Sequence, residues 1–405
     1  MNKVLIAGKP SAGLRTRATT SRRHARILLT MPHLNSAASP YREMMALARN
    51  LDRGTFRLTV CGLREQHQPD AEISLRDHGA ECFVARFRPT GHTPGSLFAA
   101  LKDQERIEQA GPFDIQHSLD FSSSPFEAAF ARLRSRKYIY NQRNLNEGGS
   151  AALLRAKLAL ADSIITIADH ASDFVLRHGA APQKLKRIYN GIDVEELERV
   201  AGPGLPMDRR PPYILVVGQI EPRKRHEDAI HALAILAQRN PQVRLGIAGS
   251  LYRADYQHQL ERTARNLGIG DRVEFLGSRK DILALMRRSR ALLCCSESEV
   301  LPWVILEAMA VGLPVVASAI PAHCELLTDG HSGMLIPCGD CAGFASTLEL
   351  LCSSPSLRED LARCALRNIE NKFSIRAMVE QTQIVYEELL RAPQMAAKFS
   401  YSEQN

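Results

Sequence analysis

The chain has 405 residues, 45% of them apolar and 24% charged, with a formal net charge of +8. At roughly 100–200 residues per domain this length suggests two or three domains, and the composition excludes wholesale disorder and fibrous classes. No apolar run reaches the roughly 18 residues that span a bilayer. The nine scattered cysteines, an odd number, favour a reduced cytosolic compartment over a disulfide framework.

The charge is concentrated at one end. Residues 1–26 hold Lys3, Lys9, Arg15, Arg17, Arg22, Arg23 and Arg26 and no acidic residue, while the remainder is neutral to within one charge. The net charge is therefore no sign of a nucleic-acid-binding fold, and no nucleic-acid partner is expected. Residues 1–25 read as a solvated, disordered basic tail. Their Arg, Ser and Thr content also suits a targeting or lipid-touching segment. Ser21-Arg22-Arg23 resembles a twin-arginine export signal, but the apolar stretch Ile27–Met31 before Pro32 is too short for one. The expectation is a cytoplasmic protein, with weak peripheral contact between the tail and an anionic membrane surface.

From residue 26 short apolar runs alternate with helical periodicity. Strand-like runs are Ile27–Thr30, Arg57–Cys61, Cys82–Ala85, Ile115–His117, Tyr138–Tyr140, Ile164–Ile167 and Lys186–Tyr189. Helical spacing covers 40–52, 96–110, 125–134, 151–159 and 170–178. This alternation predicts βαβ units and a parallel sheet over residues 26–200. A Pro/Gly-rich linker follows at 201–212. The alternation restarts at Tyr213–Val217 and continues through strands at Arg244–Ala248, Val273–Leu276, Ala291–Cys294 and Pro314–Ala317. Helical segments run between them at 225–239, 255–267, 280–288 and 302–311, and helices fill about 342–391. The fold class is thus α/β, with a second domain over 213–372 and a tail at 392–405. Two such halves imply a cleft between them, where small-molecule sites favour domain interfaces.

Two motifs carry chemistry. In Glu299-Val-Leu-Pro-Trp-Val-Ile-Leu-Glu307 two carboxylates span a strand-to-helix turn. Pro302 suits a first helical position, and the amides of Trp303 and Val304 lie at a helix N-terminus that attracts phosphate. The alternative is a pair of surface glutamates on an ordinary amphipathic helix. In Val217-Gly218-Gln219-Ile-Glu-Pro-Arg223-Lys224-Arg225 a strand leaves through Gly218 into a cluster of cations. Lys224 supplies a point charge for phosphate, and Arg223 or Arg225 a forked donor. The alternative is a solvated helix start.

Together these motifs resemble the retaining glycosyltransferases of family 4, whose GT-B fold is two facing Rossmann-like domains with parallel sheets and an interdomain cleft. The resemblance spans residues 26 to about 390. It rests on Glu299 and Glu307 followed by Ala308-Met-Ala-x-Gly312-x-Pro314-Val-Val-Ala-Ser318, on Lys224, on Tyr189-Asn190-Gly191-Ile192-Asp193, on Ala161-Asp162-Ser-Ile-Ile-Thr, and on Glu325-Leu-Leu-Thr-Asp329-Gly330-x-x-Gly333. It implies a nucleotide-diphosphate-sugar donor as substrate, no cofactor and no metal, and a glycan, lipid-linked or small-molecule acceptor. It implies that Lys224 binds the diphosphate, Glu307 the ribose hydroxyls, and Glu299 the donor sugar near the reacting carbon. The resemblance further implies that backbone around Gly277–Arg279 holds the base and that a helix at 373–391 crosses back to the first domain.

Some positions depart from the family pattern. Gln219 replaces an arginine, Val300 a glycine, and Ala38-Ser39 a glycine pair in the first loop. No catalytic-region histidine is obvious in the first domain; the matching stretch holds Arg143 and Asn144. His117 ends a strand at the expected cleft and reads either as an acceptor-side residue or as a satisfied core histidine. Cys338-Gly-Asp-Cys341 lacks the second pair a zinc site needs, and Cys294-Cys295 reads as core. No Gly-x-Gly-x-x-Gly follows a strand, so a nicotinamide cofactor is not expected. The alternatives to a transferase are a nucleotide-sugar epimerase on the same plan and a non-catalytic sugar-binding relative.

Overall fold

A computed structural model describes residues 24–32, 34, 39–63, 68–91 and 93–392. The basic tail before His24, Ala38 and the segment after Ala392 lie outside the described residues, as does the side chain of Ser39.

Thirteen strands among the described residues form two parallel sheets. The first holds β1 (Ala25–Met31), β2 (Phe56–Gly62), β3 (Glu81–Val84), β4 (Ile115–Ser118), β5 (Lys137–Gln142), β6 (Ser163–Thr166) and β7 (Leu185–Arg187), in the order 3-2-1-4-5-6-7. The second holds β8 (Tyr213–Val217), β9 (Arg244–Ala248), β10 (Val273–Gly277), β11 (Ala291–Cys294), β12 (Val315–Ser318) and β13 (Met334–Ile336), in the order 10-9-8-11-12-13. Ile27, Leu28 and Leu29 of β1 are all fully buried, as a strand covered by helices on both faces requires. In each sheet the winding reverses beside the first strand, between β1 and β4 and between β8 and β11. Such a reversal opens a crevice beyond the carboxyl ends of the strands.

Three short helices escape the periodicity, at Pro69–Asp77, Val194–Ala201 and Pro321–Leu326. The second starts on a side-chain cap, with Asp193 accepting from the Glu196 amide at 3.1 Å. The linker after Ala201 is packed rather than loose: Arg287 donates to the Gly202 carbonyl at 2.7 Å, and buried Arg210 donates to Leu205 at 3.0 Å.

Helix Ile375–Arg391 leaves the second domain and packs on the first, where Met378, Val379, Val385 and Tyr386 join the core around β1 and β2. Tyr386 meets Phe56 edge-on at 5.7 Å. The chain crosses at the Asn190-Gly191-Ile192-Asp193 turn. Ile192 donates to the Phe373 carbonyl at 2.7 Å and accepts from Ile375 at 3.0 Å. A Cβ on Gly191 would lie 2.5 Å from Ile375 Cα, so only glycine lets the two backbones pass.

Candidate functional site

The two sheets present their carboxyl edges to each other across a cavity of about 660 Å³. Its second-domain wall is Val217, Gly218, Arg223, Lys224, Ser298–Val304 and Glu307; its first-domain wall is Arg143–Asn146 and Ile167.

Lys224 is positioned by the turn that follows β8. Gly249 presses on this turn, since a Cβ there would lie 1.8 Å from the Gly218 carbonyl oxygen. Gly218 in turn leaves room for the lysine: a Cβ on it would lie 3.3 Å from Lys224 Cε. Pro222–Lys224 form one 3-10 turn. Arg225 then adopts a left-handed conformation at φ 48°, an arrangement that costs a non-glycine residue roughly 1 kcal/mol. Its guanidinium turns back to Asp228 at 2.6 Å. Arg225 is therefore engaged away from the cavity wall, and of the two candidate forked donors the structure places Arg223 there.

Glu299 stands on the loop between β11 and helix Trp303–Ala310. Glu297 donates from its amide to the Arg223 carbonyl at 3.0 Å, tying this loop to the lysine turn. The Glu299 carboxylate contacts Lys224 Nζ, lies 3.2 Å from Arg223 Nη1 and accepts from Ser296 Oγ at 3.0 Å. Burial alone would raise its pKa, but the Lys224 and Arg223 charges and the Ser296 hydroxyl outweigh burial and hold the carboxyl below its ordinary value. Pro302 caps the helix, and buried Glu307 lies on its second turn.

Several residues here carry no motif. Arg42, on the first-domain helix Ser39–Asn50, reaches across to the Glu307 carboxylate and lies over the Trp303 ring at 5.2 Å. His170, at the start of helix Asp169–Arg177, has Nε2 3.1 Å from the Glu299 carbonyl and Nδ1 3.4 Å from Glu325. Glu43 takes the guanidinium of Arg143 and accepts from Asn141 at 2.9 Å. Arg143 is thus a cavity wall whose charge is already paired, and burial lowers its pKa to about 10. Asn144 lines the same wall and accepts from Gln142 at 2.6 Å.

Other expectations separate from this cluster. His117 is not a cleft residue. It is fully buried, with Nδ1 2.8 Å from the Tyr386 hydroxyl, and burial lowers its pKa to about 3. The core placement is the one the structure adopts, because the C-terminal helix covers that end of β4, but the ring is only half satisfied: Nε2 is buried without a hydrogen-bond partner. Gln219 is exposed outside the cavity wall. Gly277 ends β10, two strands from β8, and its carbonyl accepts from the Gly249 amide at 2.9 Å; Arg279 beyond it is exposed and paired with Asp281 at 2.7 Å, and neither lines the cavity wall. Among the described residues no group of three or more His, Cys, Asp or Glu side chains could hold a metal ion.

Residues 42–196 match the model described as Glycosyltransferase Family 4, and residues 203–367 that of Glycosyl transferases group 1. The chain is 29% identical over 304 residues to the D-inositol 3-phosphate glycosyltransferase of Frankia alni, covering 67% of this chain and 74% of that protein. It spans about half the length of other curated relatives it matches; with the Mycobacterium tuberculosis glycogen synthase, identity is 30% over 56% of this chain and 54% of that protein. Among solved structures, a glycosyltransferase from Rickettsia africae superposes with a TM-score of 0.79 at 16% identity, over 92% of this chain and all of that one. Anabaena Alr3699/HepE, solved in complex with UDP and glucose, gives 0.74 at 22% identity, over 90% of this chain and all of that one. At these identities the structural likeness establishes the fold.

Proposed function

Since the chain belongs to the family-4 glycosyltransferases of GT-B fold, we propose that it transfers a sugar from a nucleotide-diphosphate-sugar donor to an acceptor hydroxyl, with retention of configuration and without a metal ion. The observation that carries this reading is the meeting of Lys224, Arg223, Glu299, Glu307 and a helix N-terminus on one cavity wall. The cations and the helix end suit a diphosphate leaving group, whose developing charge they stabilise electrostatically. A donor entering the cleft takes Lys224 and Arg223 from Glu299, and the released carboxylate faces the sugar near its anomeric carbon. Glu307 accepts from the ribose hydroxyls once Arg42 yields. The bond from the anomeric carbon to the diphosphate breaks with its electron pair on the phosphate oxygen. The acceptor oxygen bonds to that carbon on the same face, and its proton passes to the departing phosphate.

The test is a thermal-shift screen with UDP, GDP, ADP and their sugars, followed by assignment of the product anomer by NMR. A ligand that binds only the native state raises the melting temperature as its concentration exceeds Kd. No shift with any nucleotide would sink the donor assignment, and an inverted product would sink retention.

A further inference from the structure

Behind the Lys224–Glu299 pair, at the ends of β8 and β11, lies a space of about 10 Å³. It has room for about one water molecule. Its wall includes Lys224, Glu299, Ser296 and two histidines, His226 at the start of helix His226–Ala237 and His323 on helix Pro321–Leu326. Both histidines are fully buried, and no sequence motif marks either.

Hydrogen bonds link this wall into most of a ring. His323 Nδ1 lies 2.8 Å from the Ser318 carbonyl oxygen and 3.2 Å from the Ser318 hydroxyl. That hydroxyl spends its proton on the Ser296 carbonyl. Both groups facing Nδ1 are therefore acceptors, and Nδ1 carries the proton of the neutral imidazole. Ser296 Oγ donates to Glu299 at 3.0 Å, and Glu299 contacts Lys224 Nζ. The string thus runs from His323 through Ser318, Ser296 and Glu299 to Lys224, and both of its ends stand on the same small space.

The two ends are complementary. With Nδ1 protonated, His323 Nε2 is an acceptor, and it is buried without a hydrogen-bond partner in the protein. Lys224 brings three N–H donors. His226 has no well-formed hydrogen bond at either ring nitrogen, although the Glu221 carbonyl lies close enough to act on the ring. Burial lowers the pKa of both histidines to about 4, so each is neutral at pH 7 and neither repels the ammonium. Buried waters characteristically satisfy orphaned polar groups of this kind, with about three hydrogen bonds each.

We propose that this space holds one ordered water, which accepts from Lys224 Nζ and donates to His323 Nε2 and to a ring nitrogen of His226, and that His323 is thereby a positioning residue for Lys224. The water closes the ring and gives the ammonium a neutral anchor behind its contact with Glu299. When a diphosphate draws Lys224 from the carboxylate, this anchor keeps Nζ at the wall against the freedom of its flexible four-carbon stem. His323 acts on the substrate only through the water and the lysine. The functional half of the inference rests on reading Lys224 as the diphosphate ligand.

Two substitutions separate the two ring nitrogens of His323. In His323→Asn the amide stands in for Nδ1 and keeps the bond to Ser318, but nothing replaces Nε2. In His323→Gln the longer amide restores an acceptor at the Nε2 position. The full chain is titrated calorimetrically with UDP, GDP or ADP, whichever stabilises it most. Affinity is expected to fall about tenfold in the Asn variant and to recover to within about threefold of the wild type in the Gln variant. A merely structural role through Ser318 would give the opposite order. A crystal structure of the wild type that resolves ordered solvent is expected to show a water within hydrogen-bond reach of both His323 Nε2 and Lys224 Nζ, a result that does not depend on either variant folding. Absence of that water overturns the proposal. So does an Asn variant that binds as the wild type does, or a Gln variant that loses as much as Asn. Failure of the wild type to bind any nucleotide overturns the transferase reading instead, and the crystal structure then decides the water site by itself.

Discussion

Replacing Glu299 by glutamine separates charge from shape at the centre of the cleft. The carboxylate holds Lys224, lies 3.2 Å from Arg223 and accepts from Ser296 at 3.0 Å. It is ionised at neutral pH, since its neighbours hold its pKa below the ordinary value. A diphosphate must therefore compete with Glu299 for both cations. A neutral amide competes less well, because a hydrogen bond between charged partners is roughly twice as strong as a neutral one. That difference is about 1 kcal/mol per bond, so over the contacts to Lys224 and Arg223 nucleoside diphosphate affinity is expected to hold or rise by up to about thirtyfold. Turnover moves the other way. Loss of one preorganised electrostatic contact to developing charge costs about 3–4 kcal/mol, or two to three orders of magnitude in kcat. The assay pairs calorimetric titration of the nucleoside diphosphate with initial rates at saturating donor. Nucleotide binding weakened tenfold with kcat intact would refute the reasoning, for it would make Glu299 a mere support for Lys224.

Lys224→Ala removes a charged donor worth about 1.5–3 kcal/mol, so nucleotide affinity should fall by one to two orders of magnitude in the same titration. Arg42→Ala frees Glu307; as Arg42 is 44% exposed, the melting temperature should register no more than about 1 kcal/mol, and nucleotide affinity should not fall. Buried His117, His226 and His323 have pKa values lowered to about 3, 4 and 4, chiefly by burial. The unfolded chain takes up these protons first, so the stability they confer is whole above about pH 6.5 and is lost as pH falls toward 4. At about 1.4 kcal/mol per pH unit for each histidine, denaturant titrations at pH 7 and 5.5 should show a clear loss, and equal stabilities would count against their neutral burial. Gly148→Ala forces a Cβ to 1.9 Å from a carbonyl oxygen at φ 62° and should cost about 1–3 kcal/mol in chemical denaturation.

The alternation of apolar runs with helical spacing placed the first sheet and five strands of the second, because a strand buried on two faces has few polar residues to disguise it; the short, half-buried edge strand β13 escaped it. The meeting of Lys224 with Glu299 has a similar physical cause, though the sequence alone does not pair them: each lies on the loop after a central strand, and adjacent parallel strands deliver their following loops to one edge. Contacts that depend on distant chain have no such signature. His117 meets a tyrosine 269 residues away, and nothing around β4 announces that a later helix will cover it. Arg42 lies in the first helix with no pattern to mark it, and reaches Glu307 only because the domains face each other. Arg279 shows the converse: it follows a strand correctly placed by its residues, but the sheet order sets that strand two positions from the cleft.

The return of helix Ile375–Arg391 to the first domain bears on how the protein is made. Met378, Val379, Val385 and Tyr386 belong to the same apolar cluster as Phe56 and the β1 residues Ile27 and Leu29, but they are translated about 350 residues after that helix's partners begin to emerge. Domains ordinarily fold as units in the order of synthesis, at about 5–20 residues per second. This first domain cannot complete its core in that order: until residues as far as Tyr386 have been made, their places in it stand open to water. The second domain has all its strands by Ile336, about 40 residues before that helix begins. The half of the molecule that begins first is therefore completed last, and its unfinished core is the surface a chaperone would meet on the nascent chain.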